Sequence, residues 1–190
     1  LKQATALFDK IRKKLTQPHH LHACTVTYLQ SGRPKDAQKI LKELMAKVKV
    51  TPQLLSLSGD IHKAQDNLSA AIDDYRRATG LAPQVPELHY NLALTLFQVS
   101  KTTEAKATID KALKIRSNYP KALVLLGRCL ASMEQFEQAE QAFNKAIKIE
   151  PNSYLPHYRL GRLNVHKGNS DKASESLGRS LQINKQLTPV

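Results

Sequence analysis

At 190 residues and 21.2 kDa, with 41% hydrophobic residues, the chain can bury a core, either as one ordinary domain or as a short array of repeats. No apolar run approaches the roughly 18 residues that a bilayer requires, and the first residues, LKQATALFDKIRKKL, lack the apolar centre and small-residue cleavage site of a secretory leader. A membrane-spanning helix is thereby excluded and a soluble, cytoplasmic protein expected, while 29 Lys and Arg against 16 Asp and Glu, a formal net charge of +13, favour acidic partners.

Taken in order, residues 1–17 place Ala4, Leu7, Phe8, Ile11 and Leu15 on one helical face, as the second helix of a unit that starts earlier would. From residue 18 onward the chain repeats every 34 residues, over 18–51, 52–85, 86–119, 120–153 and 154–187. The windows open with Pro18, Pro52, Pro86, Pro120 and Tyr154. Position 20 of each is alanine: Ala37, Ala71, Ala105, Ala139 and Ala173. Position 8 is small each time, as Thr25, Gly59, Ala93, Gly127 and Gly161, and position 24 is large, as Leu41, Tyr75, Ile109, Phe143 and Leu177. Small residues let the two helices of a hairpin approach, and the large one is expected to fill the space that opens further along. Ser58, His62 and Asp66 put polar side chains in the second unit, and the first unit carries Cys24 and Thr25. These two units are expected to pack least tightly. In the fifth, Asn164 takes a normally large position, and Gly178 inside a helix costs about 1 kcal/mol relative to alanine. At the far end, Leu177, Leu181 and Ile183 are expected to lie uncovered, so that either the solenoid continues, another chain covers them, or the protein self-associates there.

The fourth unit states the pattern most fully. Leu123, Leu126, Gly127 and Leu130 recur at helical spacing, Met133-Glu134-Gln135 breaks the run, and Ala139, Phe143, Ala146 and Ile149 resume it before Pro151. This order of Leu-Gly, Ala, aromatic, Ala and Pro resembles the tetratricopeptide repeat. The resemblance implies an all-α fold, a right-handed superhelical solenoid of antiparallel helix pairs forming a single domain over 1–190. It also implies a concave groove lined by positions 2, 5, 6, 9, 12 and 13 of each unit. Carried over, the groove includes Phe97 and Gln98 from the third unit, Ala131 and Ser132 from the fourth, and Val165 and His166 from the fifth. The candidate peptide-binding residues among these positions are Tyr90, Asn91, Lys121, Arg128, Tyr158, Arg159 and Arg162. Arg128 and Arg162 hold the same position in adjacent units, so their helices should stand about 10 Å apart, and a carboxylate between them can accept paired guanidinium hydrogen bonds. The chaperone-binding members hold a C-terminal carboxylate with Lys, Asn, Asn, Lys and Arg. The corresponding residues here are Ser56, Asp60, Asn91, Lys121 and Leu125, so only Asn91 and Lys121 match.

Catalytic chemistry has no foundation: no Gly-rich phosphate loop, nucleophile elbow or His-Glu-x-x-His occurs, and no cofactor is expected. His19 and His22 could share a helix face, but two histidines without further ligands do not make a metal site. Cys24 and Cys129 match no metal or redox spacing and are expected as small core residues. Lys35, Lys39 and Lys42, joined by Lys47, Lys49 and the run Arg12-Lys13-Lys14, form a basic stripe expected on the solvated convex face. The leading expectation is a non-enzymatic adaptor that captures an acidic or carboxylate-bearing peptide. The alternatives are the scaffold region of a larger enzyme whose catalytic domain is absent, and a basic RNA-binding solenoid.

Overall fold

A computed structural model describes residues 17–187, so the helix expected over residues 1–17, with Phe8 and the run Arg12-Lys13-Lys14, lies outside the described residues except for Gln17. Those residues form ten α-helices and no strand: α1 (Pro18–Gln30), α2 (Pro34–Met45), α3 (Pro52–Ala64), α4 (Leu68–Leu81), α5 (Pro86–Gln98), α6 (Thr102–Ile115), α7 (Pro120–Ser132), α8 (Phe136–Ile149), α9 (Tyr154–His166) and α10 (Ser170–Leu187). The odd-numbered helices are each 13 residues long. Proline stands in the first turn of α1, α2, α3 and α7, where its missing N–H leaves no bond unmade and its fixed φ suits a helix start. The Thr51 hydroxyl accepts from the Leu54 amide at 3.3 Å, and the Asn67 side chain accepts from Ala70 at 3.2 Å, capping α3 and α4.

Two compact units divide the chain, one ending at Thr95 and the other beginning at Leu96, with the boundary inside the continuous helix α5. In the first, α1 pairs with α2 and α3 with α4, while α2 also packs on α3. In the second, α7 pairs with α8 and α9 with α10, with α6 against α7 and α8 against α9.

The hairpins turn by one device. Position 15 has positive φ in every repeat: Gly32 at 71°, Asp66 at 60°, Ser100 at 61°, Glu134 at 58° and Gly168 at 75°. The next amide then reaches back to the carbonyl at position 11, as in Arg33 to Tyr28 at 2.9 Å, Lys101 to Leu96 at 3.0 Å and Gln135 to Leu130 at 2.9 Å. The amide at position 15 itself reaches position 12, as in Glu134 to Ala131 at 3.1 Å. This is the Schellman arrangement, which satisfies two orphan carbonyls at a helix end and starts the return helix at a set angle.

Close approach within each hairpin follows from position 8. A Cβ added to Gly127 would lie 2.5 Å from the Phe143 ring, one on Gly59 would lie 2.6 Å from the Tyr75 ring, and one on Gly161 would lie 2.6 Å from Leu177. The large residue at position 24 therefore sits directly over position 8 rather than further along the hairpin. Tyr75 and Phe143 are buried as a result, each burial being worth about 1.5–3 kcal/mol. Where position 8 carries a side chain, as at the buried Thr25, position 24 is the aliphatic Leu41, and the Thr25 hydroxyl donates to the Leu21 carbonyl at 2.8 Å.

The polar residues of the second repeat are tied in rather than loose. His62 Nδ1 lies 2.9 Å from the Asp74 carboxylate, and its Nε2 lies 3.1 Å from the Gln38 amide nitrogen. Gln65 donates to Gln38 Oε1 and to the Pro34 carbonyl, both at 3.2 Å. With the His62 proton on Nδ1, every one of these bonds has a donor and an acceptor, and the run links α2, α3 and α4. In the second unit, Ile183 is buried at 3% exposure, against the expectation that it lies uncovered, while Leu181 is 61% exposed. Ile149, read from its spacing as a packed residue, is instead 38% exposed at the end of α8.

Candidate peptide-binding site

Within the unit that begins at Leu96, three arginines from two helices meet at one cavity. Arg159 and Arg162 stand one turn apart on α9, three residues being the spacing that keeps side chains on one face, and Arg128 comes from the equivalent place on α7. The cavity is about 520 Å³, of the size that holds one or a few side chains. Its walls also include Phe97 near the end of α5, Phe136 at the start of α8, and Val165 and His166 at the end of α9. The Arg128 guanidinium lies 4.5 Å from the centre of the Phe97 ring, which holds a long, flexible side chain in place by cation–π attraction. Phe136 meets the His166 ring edge-on at 5.2 Å. Among the described residues no acceptor meets the buried Arg159 Nε, and a buried donor of this kind favours a ligand that brings one. Chemically, the site offers planar donors set among apolar rings, the combination that receives a carboxylate attached to an apolar residue.

Of the residues singled out in the sequence, Arg128, Arg159 and Arg162 line this cavity. Lys121 is exposed on the first turn of α7 and does not line it, and neither does Tyr158, which is 38% exposed with the Arg159 guanidinium 5.6 Å from its ring centre. Tyr90 and Asn91 belong to the other unit. Both are half-buried there on α5, and the Asn91 amide donates to the Ser56 hydroxyl at 3.4 Å. Leu125, which stands where the chaperone clamp would need arginine, is buried at 2%. Phe136, Phe143 and Leu163 are wall residues that the carried-over groove positions omit.

The remaining reactive groups have structural duties. His89 and His157 hold the carbonyls of Pro83 and Pro151 at 2.8 and 3.0 Å, bracing the loop before their helices. No cluster of three or more metal-binding side chains exists among the described residues. Cys24 and Cys129 are fully buried, and burial pushes the Cys129 thiol up to about 11. Lys35, Lys39 and Lys42 are exposed, as the stripe requires. Lys167 bridges Glu140 at 3.0 Å and Glu137 at 3.4 Å, tying the turn after α9 to α8. Its ammonium is raised, chiefly by the Glu140 hydrogen bond, and the Glu137 carboxyl is lowered, first by its own backbone amide and then by Lys167.

Models of the tetratricopeptide repeat match residues 86–119, 120–153 and 156–187, and a further TPR repeat model matches 59–100. The chain belongs to the tetratricopeptide-repeat family. Among relatives of this tetratricopeptide-repeat chain, the formate-dependent nitrite reductase complex subunit NrfG of Escherichia coli O157:H7 is 31% identical over 126 residues, covering 63% of this chain and 64% of that protein. The BBSome complex member BBS4 of Mus musculus is 22% identical over 68% of this chain, and the DnaJ homolog subfamily C member 7 homolog of Schizosaccharomyces pombe is 24% identical over 89%. The chain spans only 25% and 36% of those two proteins' lengths. The fold is shared with solved structures. MamA 41-end from Desulfovibrio magneticus RS-1 has a TM-score of 0.79 at 21% identity, covering 90% of this chain and 97% of that one. YrrB, described as a TPR protein with an unusual peptide-binding site, has a TM-score of 0.68 at 17% identity, covering 94% and 92%. No helix among the described residues is long and apolar enough to cross a membrane.

Proposed function

We propose that the chain is a non-catalytic adaptor whose second unit anchors a partner protein by an acidic or carboxylate-bearing segment, held by Arg128, Arg159 and Arg162. The observation that carries this is the convergence of the three arginines on one ring-walled cavity, with the buried Arg159 Nε lacking an acceptor among the described residues. Family membership supports an interaction scaffold, and the names of NrfG and BBS4, as members of multi-protein complexes, support a place in an assembly. On this reading Lys121 and Tyr158 contact the same segment from the exposed surface of α7 and α9, and Tyr90 and Asn91 offer a separate polar and aromatic contact on the first unit. The partner's carboxylate replaces water at the guanidinium groups, and its apolar neighbour rests against Phe97 and Phe136.

Removing Arg128 and Arg162 together by substitution with alanine should weaken an acidic peptide several-fold, since each desolvated charged hydrogen bond is worth about 1.5–3 kcal/mol. Replacing the exposed Lys35, Lys39 and Lys42 should leave that peptide unaffected. Fluorescence titrations of both variants, against the peptide and a short single-stranded RNA, decide the matter. RNA binding lost only in the lysine variant, with no peptide binding at all, would assign the protein to nucleic acid instead.

A further inference from the structure

The last turns of α6 and α8 flank a second cavity in the unit that begins at Leu96, about 690 Å³ in volume and sharing no residue with the arginine cavity. Leu113, Leu123, Leu126 and Ile149 give it apolar walls, and Lys114, Lys145 and Lys148 stand exposed around it. Lys114 and Lys148 occupy position 29 of consecutive repeats, where the other three repeats carry Ala46, Gly80 and Gln182. The basic pair is therefore particular to this place and not a consequence of the repeat. Asp110, the carboxylate on the cavity wall, is already held by Lys106 at 2.9 Å, and none of the three lysines makes an ion pair among the described residues. Ile149 stays 38% exposed beside them, although helical periodicity places it with the core.

Unneutralised lysines around an apolar floor select a ligand with both properties. Three cations around one cavity, two on α8 and one on α6, complement a segment that carries several carboxylates. Among the described residues no aromatic ring lines the cavity to stack a nucleobase, and its leucine and isoleucine walls match apolar side chains. We propose that this cavity, between the second helices of the third and fourth repeats, docks an acidic amphipathic segment of a partner protein. Its apolar side chains rest on Leu113, Leu126 and Ile149, and its carboxylates face Lys114, Lys145 and Lys148.

The test uses the full chain and a labelled synthetic peptide alternating pairs of glutamate with leucine, read by fluorescence anisotropy. Lys114→Glu with Lys148→Glu should weaken the peptide about tenfold or more, as expected for losing charge-assisted contacts and adding repulsion. Ile149→Ser should weaken it several-fold, and replacing each peptide leucine by serine should do the same. In the background of Arg128→Ala with Arg162→Ala, where the proposed groove anchor is gone, Lys114→Glu with Lys148→Glu should cost the same factor, which separates this site from that anchor. Lys114, Lys148 and Ile149 are exposed, so helical circular dichroism should match the parent in each variant. Equal binding of the serine peptide would mean diffuse charge attraction and would overturn the docking site. The proposal would also fall if only the arginine variant lost the peptide. It fails equally if the lysine variant lost single-stranded RNA or phosphatidylserine vesicles while the peptide never bound.

Discussion

At the scale of single residues, one substitution carries opposite signs at two glycines of the same unit. Gly127 faces Phe143 so closely that a methyl group would sit 2.5 Å from the ring, and Phe143 is itself buried at 2% exposure, so the ring would have to shift. Gly127→Ala should therefore cost about 1–3 kcal/mol by overfilling the hairpin. Gly178 lies inside α10 with nothing within 4 Å of an added Cβ, and Gly178→Ala should add about 0.5–1 kcal/mol by reducing the entropy of the unfolded chain. Denaturant melts of the two variants beside the parent check both signs. A loss at Gly178 or a gain at Gly127 would mean that the hairpin register is drawn wrongly. The sequence made Gly127 legible, because position 8 is small in all five repeats. It also marked Gly178 as unfavourable, since no repeat pattern calls for glycine there.

The turn is the element that repeats most faithfully and was least visible beforehand. Position 15 is left-handed in every repeat, yet only Gly32 and Gly168 are glycine, and Asp66, Ser100 and Glu134 take the same conformation against their own sterics. The fold imposes that conformation because the two bonds to positions 11 and 12 outweigh a local cost of about 1–2 kcal/mol. Ser100→Gly and Glu134→Gly should each relieve that strain and, after the added entropy of the unfolded chain, stabilise by about 0.5–1 kcal/mol. Thermal midpoints that fall in both variants would contradict the strain account. Residue identity varied where conformation did not, so the sequence showed polar breaks and not a common turn. The candidate site was legible to the same degree. Arg128 and Arg162 share one repeat position, so spacing brought them out, whereas Phe136 stands at position 17, where the other repeats carry Pro34, Leu68, Thr102 and Ser170. A position that changes character in every repeat leaves no periodic trace, and only the packing of α8 shows its ring on the cavity wall. The polar residues of the second repeat misled in the other direction, because pattern reveals an unusual His62 but not the Gln38 and Asp74 that satisfy it.

Over the whole molecule, each unit holds an ionisable group that burial favours in its neutral form. In the first, the Tyr75 phenol is raised well above its ordinary value, by burial first and then by the Asp60 and Asp74 carboxylates, and its hydroxyl donates to Asp60 at 2.6 Å. In the second, burial raises Cys129 from 9.0 to about 11, against a smaller opposing pull from Arg128. A group whose folded pKa lies above its unfolded one contributes stability that is complete below the unfolded value and is lost as pH rises through the folded one. Between 9.0 and about 11, the unfolded chain releases the Cys129 proton while the folded chain retains it, so the thiol makes stability fall with rising pH. Lysine deprotonation acts over the same range in the opposite sense, because a chain of formal net charge +13 loses self-repulsion as its ammonium groups neutralise. The total slope mixes both effects, and the difference between parent and Cys129→Ala isolates the thiol, since the lysines are common to the two. Denaturant titrations stepped across that range should show the parent losing stability relative to Cys129→Ala as pH rises, with a constant offset below it from the small cavity the substitution leaves. A difference that stays flat through the whole range would mean that the Cys129 thiol ionises as readily in the folded chain as in the unfolded one, and that the α7 face carrying it is open to solvent.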